Sequence, residues 1–350
     1  MPTLKDIALR VGVSISTVSR AISNDTARPV NDETKRKIRE AADEIGYKWE
    51  ESPAQPAKQE AKTSKRIGCI IPQSFMDNHP YFSSVLSGFR KKMIDMDQQP
   101  FFIRTYEEIN DVKRLRKWLA ETGVQGVLVL GWYEKSLFEL LQAEGVFLLG
   151  VSMNDESIAI STVDCDRLLA SRAAVRHLIA QGHSKIGYIG GPAFSYKLED
   201  EDRYLGYKFA MLEFGLKLNP DWMLNANWNV DRSYSLMTDM LNHLPADERP
   251  TAMFCASDML AIPAMRAALE KKCRIPEDMA FVGMDNIEVA QYTSPPLTSV
   301  QVPKNEIGEV AAKVLVDYLE GAYSYPSKIL LPCDMIVRES SVYDRTGMAL

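Results

Sequence analysis

From Ile67 onward, short apolar runs alternate with amphipathic stretches, and this alternation restricts the fold more than any other feature of the chain. Ile67–Ile71, Phe101–Arg104, Val127–Leu130 and Phe147–Val151 are brief, partly β-branched runs that read as strands. Between them, stretches near 82–97, 109–122 and 134–144 carry apolar residues at helical spacing. The series resumes with a helix at 167–181 and strands at Ile186–Ile189, Ala252–Cys255 and Ala280–Val282. Helices near 202–214, 232–242 and 259–271 lie between those strands, followed by a last helix at 304–320 and strands near 329–331 and 335–338. Strands joined through helices pair in parallel, with helices on both faces of the sheet. About ten such units exceed one comfortable sheet, so two lobes are expected.

The segment before Ile67 has a different character. Leu4, Ile7, Ala8 and Val11 share one helical face after Thr3, and Gly12 suits the turn that ends the helix. Ser14 is placed to cap a second helix, Ile15 to about Ile22, that buries Val18 and Ile22. Asn31 is placed to cap a third, with Ile38, Ala41, Ala42 and Ile45 inward and Gly46 at its end. Residues 48–65 hold Pro53 and Pro56, many charges and almost no large apolar side chain, which is a linker composition.

Charge follows the same division. Residues 1–66 hold 13 Lys and Arg against 10 Asp and Glu, while the remainder holds 28 against 37. A basic head on an acidic body suits a chain that offers only its N-terminus to phosphates. No run reaches the roughly 18 to 20 apolar residues of a membrane span, and the N-terminus lacks a signal-peptide pattern, so a cytoplasmic protein is expected. The cysteines at 69, 165, 255, 273 and 333 are odd in number and without a C-x-x-C pair. That argues against a disulfide framework or zinc site, and four of them lie in apolar surroundings and read as small core residues. No phosphate loop, nucleophile elbow or metal-ligand spacing occurs, and His79, His177, His183 and His243 are scattered, so no enzyme, cofactor or metal is expected.

Two short helices joined through a glycine-containing turn make a helix-turn-helix, whose second helix enters the DNA major groove by its N-terminal end. Ile15, Ser16 and Arg20 lie opposite Val18 and Ile22, where they can meet base edges. Arg20 can bind guanine with two hydrogen bonds, and Ile15 can touch a thymine methyl. Ser14, Thr17, Ser19 and Asn24 are short polar residues suited to phosphate oxygens.

From Thr3 to Arg20 the chain resembles the headpiece of the LacI/GalR family of bacterial repressors, whose pattern T-L-x-D-[IV]-A-x-x-[AV]-G-V-S-x-x-T-V-S-R it matches. Val30-Asn31-Asp32-Glu33-Thr34, Ala41 and Gly46-Tyr47 continue it. The resemblance adds Thr3, Leu4 and Thr34 to the DNA-facing set, and places Ile15 and Ser16 at the positions that choose the operator. It implies a core similar to periplasmic sugar-binding proteins: two Rossmann-like parallel-sheet lobes, three crossovers, and an effector in the cleft. Matching patches include Asp164-Cys165-Asp166, Ile186-Gly187-Tyr188-Ile189-Gly190-Gly191, Asp202-Arg203-Tyr204-Leu205-Gly206-Tyr207, Cys255-Ala256-Ser257-Asp258 and Val282-Gly283-Met284-Asp285-Asn286.

By that resemblance Arg203 and Asp285 grip a sugar, with Ser257 or Asp258 on the opposite side and Asn78 lining the cleft. Trp132, Phe194 and Trp228 are candidate rings for the apolar sugar face. A guanidinium fork and carboxylates satisfy hydroxyls that both donate and accept. The plain alternative is that Arg203 pairs with a carboxylate of Glu199-Asp200-Glu201-Asp202, although such a pair does not require the nearby Gly206.

The expected domains are a headpiece at 1–48, a linker at 49–65, a core at 66–340 and a tail at 341–350. The first lobe is placed at about 66–163 and 297–325, the second at about 164–296 and 326–340. The expected partners are palindromic operator DNA, a small sugar and a second copy of the chain. Two departures from the family stand out. No Leu occurs between Leu9 and Leu86, so the leucine that wedges into the minor groove is missing. The tail has no leucine heptad, which favours a dimer over a tetramer. The degenerate hinge and Tyr106-Glu107-Glu108 are shared with relatives tied to galactoside use, pointing to galactose or a galactoside. Repression and activation both remain open, since the sign depends on where the operator lies.

Overall fold

A computed structural model describes residues 2–22, 30–47, 65–98, 101–131, 134–153 and 159–342. The chain divides into two compact units, Met1–Thr63 and Ser64–Leu350. The linker expected at 49–65 falls almost wholly outside the described residues, as does most of the tail.

In the first unit, α1 (Leu4–Val11), α2 (Ile15–Ile22) and α3 (Asp32–Glu44) enclose a core of Ile7, Ala8, Val18, Ile38, Ala41 and Ala42. The local signals work as expected. Asp6 accepts from the Thr3 backbone N–H at 2.8 Å and its hydroxyl at 2.7 Å. Gly12 takes a left-handed φ of 75° to end α1. Ser14 Oγ accepts from Thr17 N–H at 3.1 Å, and Asn31 Oδ1 from Thr34 N–H at 2.8 Å. Each cap satisfies a helix donor that would otherwise lack a partner.

The second unit opens with β1 (Ile67–Ile71), α4 (Gln73–Asn78), α5 (Pro80–Asp95), β2 (Phe101–Thr105), α6 (Val112–Thr122), β3 (Gly126–Leu130), α7 (Lys135–Ala143), β4 (Phe147–Val151) and β5 (Ser161–Cys165). It continues with α8 (Arg167–Ala180), β6 (Ile186–Gly190), α9 (Asp202–Glu213), β7 (Met223–Asn225), α10 (Val230–His243), β8 (Ala252–Cys255), α11 (Asp258–Glu270), β9 (Ala280–Met284) and β10 (Thr298–Gln301). It closes with α12 (Lys304–Leu319), β11 (Lys328–Leu331) and β12 (Asp334–Ile336). One sheet runs β11-β5-β4-β3-β1-β2 and the other β12-β10-β9-β8-β6-β7. All neighbours are parallel except β12, which runs antiparallel to β10. Among the described residues no helix is long and apolar enough to cross a membrane.

The chain passes between lobes three times: from β5 into α8, from β10 into α12, and from β11 into β12. This corrects the expected lobe limits. Thr298–Gln301 belongs to the second sheet and Lys328–Leu331 to the first, opposite to their expected assignment. Strands β5, β7 and β10 have no counterpart in the sequence reading. Ser161 and Thr162, or Thr298 and Ser299, interrupt the apolar run with hydroxyls. Hydrogen bonds satisfy them: Ser161 Oγ accepts from Ser327 N–H, and Ser299 Oγ donates to Asp258.

Candidate DNA surface and effector cleft

In the headpiece, burial of Val18 turns the opposite face of α2 outward. Ile15 is 48% exposed, an unusual position for an isoleucine in so small a domain, and Ser16 and Ser19 are also exposed. The Ser14 hydroxyl lies 2.8 Å from both the Ser16 and the Thr17 hydroxyls. Arg20 folds back along its own helix, donating from Nε to the Ser16 carbonyl at 3.0 Å and from Nη2 to Thr17 Oγ1 at 3.5 Å. Among the described residues no carboxylate pairs with it. Thr3 is exposed, whereas Leu4 is half-buried against the headpiece core and Thr34 is half-buried in the first turn of α3. Asn24 lies outside the described residues.

In the second unit, polar and aromatic side chains gather at the strand ends of both sheets, near enough for the charge of Arg167 to act on Glu201 and Asp285. On the second lobe, Glu201 precedes α9 and caps it, accepting from Arg203 N–H at 2.8 Å and Tyr204 N–H at 3.2 Å. The same carboxylate accepts from Arg203 Nη1 at 2.7 Å. The plain alternative therefore holds in part: Arg203 is paired with a local carboxylate. Its Nε is nevertheless buried without a hydrogen-bond partner. The guanidinium carbon lies 4.7 Å from the centre of a Trp228 ring, a cation–π arrangement. Trp228 Nε1–H donates to the Pro192 carbonyl at 2.9 Å, and a Cβ at Gly191 would come within 2.5 Å of the indole. Burial pushes the Glu201 carboxyl up to about 8, against the pull of Arg167. Gly206 does not discriminate the two readings of Arg203. A Cβ there would lie 2.4 Å from the Leu168 carbonyl, so packing of α9 on α8 requires the glycine.

Asp285 follows β9 with a left-handed φ of 103°. It is nearly buried, and its carboxylate makes no hydrogen bond among the described residues. Burial raises it to about 7, opposed by the nearby charges of Arg167 and Lys304. Asp258 is a correction. It is fully buried, and both oxygens are engaged, Oδ1 by the Ser299 hydroxyl at 2.6 Å and Oδ2 by Ile287 N–H at 2.8 Å. It braces the turn that carries Asp285 instead of facing the cleft. Ser257 stands at the N-cap of α11 with no side-chain cap bond.

The first-lobe wall holds residues the sequence reading missed. Arg167 donates from Nη2 to Asp164 Oδ1 at 2.9 Å, Ser152 Oγ at 2.6 Å and the Tyr81 hydroxyl at 3.1 Å, and from Nε to Asp164 Oδ2 at 3.1 Å. Beside it, Phe75, His79, Tyr81 and Phe82 form a set of ring contacts. Burial, then Arg167, pushes His79 down to about 4, so the ring is neutral at physiological pH. One signal was available: an arginine opening α8 meets the positive end of the helix dipole and therefore demands a buried acid nearby. Phe194 reaches from the second lobe to pack against the first-lobe cluster that includes Ile70, alongside Tyr106. Asn78 is displaced from its expected place, since it ends the short helix α4 and is exposed. Trp132 lies outside the described residues.

Known proteins carry the same two parts. Residues 3–49 match the family description "Bacterial regulatory proteins, lacI family", and residues 175–341 match "Periplasmic binding protein-like domain". The "HTH-type transcriptional repressor PurR" of Haemophilus influenzae (strain PittEE) is 31% identical over 346 residues, 97% of this chain and 98% of that protein. The structure titled "transcriptional regulator CelR-cellobiose complex" superposes with a TM-score of 0.69 at 27% identity, covering 97% of this chain and all of that one. The lac repressor dimer bound to operator and the anti-inducer ONPF gives 0.69 at 23% identity, over 98% and 99% of the two chains, and speaks to the fold alone.

Proposed function

The chain belongs to the lacI family of bacterial regulatory proteins, DNA-binding transcriptional regulators and not enzymes, and we propose that it represses a carbohydrate-utilisation operon until a neutral sugar releases it. Two copies present α2 to successive major grooves of a palindromic operator in the cytoplasm. Ile15, Ser16 and Arg20 face the base edges, while Thr3, Ser14, Thr17 and Ser19 face phosphates. With no leucine available for the minor groove, affinity rests on these contacts and on the spacing set by the dimer.

The sugar occupies the cleft, with Arg203, Trp228 and Asp285 on one wall, Ser257 at its margin, and Phe194 covering the apolar face. The observation that carries this reading is the reserved polar capacity of that wall: a buried Arg203 Nε–H with no partner among the described residues, together with the buried Asp285 carboxyl. Such a donor and acceptor suit hydroxyls, which do both at once, better than an anion that would meet Glu201 and Asp285. The 27% identity to a regulator solved with cellobiose supports the same class. Closing of the lobes around the sugar changes the presentation of the dimer to DNA, which couples the two sites.

Calorimetric titration of the full-length protein with galactose, galactosides, cellobiose, ribose, sugar phosphates and purine bases tests the ligand class. Heat from one or more neutral sugars, absent in Arg203→Ala, is the expected result. Binding of only a sugar phosphate or a purine base overturns the sugar assignment.

A further inference from the structure

Two of the five cysteines meet at the hinge between the lobes. Cys165 ends β5 and is 2% exposed, and Cys333 lies in the short passage between β11 and β12, half-buried against the same apolar cluster. The parallel pairing of these strands sets Leu331 opposite Cys165, and the Asp166 N–H donates to the Leu331 carbonyl at 3.2 Å. Cys333 stands only two residues beyond Leu331, next to the Cys165 end of β5. Each also stands on a lobe crossover, Cys165 leading into α8 and Cys333 into β12. Cys69, Cys255 and Cys273, by contrast, are buried elsewhere, the first two inside β1 and β8. A cavity of about 380 Å³, lined in part by Met153, Asp164, Arg167 and Leu330, reaches Cys165.

We propose that Cys165 and Cys333 form a reversible disulfide that fastens the first crossover to the third and makes the hinge sensitive to hydroperoxides. The more exposed Cys333 sulfur attacks a peroxide oxygen. The O–O bond breaks, leaving Cys333 as a sulfenic acid and releasing water from hydrogen peroxide. The Cys165 sulfur then attacks the Cys333 sulfur: the S–S bond forms, the S–O bond breaks, and the departing hydroxide takes the Cys165 proton to leave as a second water. Two thiols lose two electrons and two protons, and one peroxide becomes two waters. Cys333 is half-buried whereas Cys165 is 2% exposed, which assigns the first attack to Cys333 and the resolving step to Cys165. A bond between the crossovers resists the twist that lobe opening and closing require. The proposal stands without the sugar reading, since it concerns the hinge and not its ligand.

The test treats the reduced full-length protein with hydrogen peroxide and maps its peptides by mass spectrometry without reduction. The expected product joins the Cys165 and Cys333 peptides, lighter by two hydrogens, and dithiothreitol reverses it. Cys333→Ser abolishes the product and Cys255→Ser leaves it intact. Hydrogen exchange at residues 166–170 and 331–336 is expected to slow by at least about fivefold in the oxidised protein, as local opening becomes rarer. Over-oxidation of Cys333 with Cys165 left free overturns the pairing, as does a link to a different cysteine. A cross-link that leaves exchange at both crossovers unchanged overturns the hinge role.

Discussion

At the start of α8 the Arg167 guanidinium reaches first-lobe Asp164, Ser152 and the Tyr81 hydroxyl, whereas Arg203 stays within the second lobe, meets Glu201 and the Trp228 face, and keeps its Nε–H without a partner among the described residues. Both are arginines at the start of a helix, both are largely buried, and both pair with an acid close by in sequence. The first spends its Nε and Nη2 on four bonds that hold the wall together. The second holds its Nε–H in reserve. A buried donor without a partner costs about 1–3 kcal/mol, and such a group persists where a ligand is the missing partner. The difference separates a positioning arginine from a binding one.

The largest expected effect lies on the saturated wall. Arg167→Met leaves Asp164 buried without its counter-charge, so unfolding in urea should show a loss of about 3–5 kcal/mol. Adding Asp164→Leu removes the orphaned charge and should restore part of that loss. A single variant as stable as the wild type would erase the contrast between the walls.

The headpiece repeats the reserved arrangement in Arg20, folded along α2 with no acid paired to it among the described residues. Arg20→Ala should weaken operator binding by about 1–3 kcal/mol and relax preference at one base pair, read by competition with altered operators. Uniform weakening at every sequence would instead make Arg20 a phosphate contact.

The smallest effect tests the Asp285 side of the second wall. Its carboxyl, raised to about 7 in the folded chain, favours the neutral form, so its contribution to stability is complete at low pH and is lost as pH rises from about 4 through 7. Glu201 and Asp258, each raised to about 8, act in the same direction. His79, His177 and His183, lowered by burial, act in the opposite direction below pH 6.5. The informative quantity is therefore the melting temperature of Asp285→Asn minus that of the wild type. That difference should grow in favour of the variant from pH 5 to 7 and level off above it. A difference flat with pH would place Asp285 in water.

What the sequence discloses follows the range of the interactions. The headpiece was legible because its caps, turn glycine and apolar stripe lie within four residues of what they act on, as Thr3–Asp6 and Ser14–Thr17 show. The α/β alternation was legible for the same reason. Strands β5 and β10 were not, because their hydroxyls are satisfied by residues far along the chain, and the lobe limits moved with them. In the cleft, Arg203 and Asp285 carried a motif, while Arg167 depends on Tyr81 and Ser152, contributed by α5 and the end of β4. Asp258 misled because its motif position does not reveal that both oxygens face inward. The approach of Cys333 to Cys165 across 168 positions, set by the β11–β5 pairing, had no local signal at all.

The central claim is that a sugar held by Arg203 controls the grip of α2 on DNA. The most direct measurement is fluorescence anisotropy of the gene's own upstream duplex with the full-length wild type and Arg203→Ala, titrated with the sugar that gives calorimetric heat. The account predicts equal DNA affinity without sugar, within about twofold, and release by sugar from the wild type only. Release from both proteins alike, or loss of DNA binding by the unliganded variant, would contradict it.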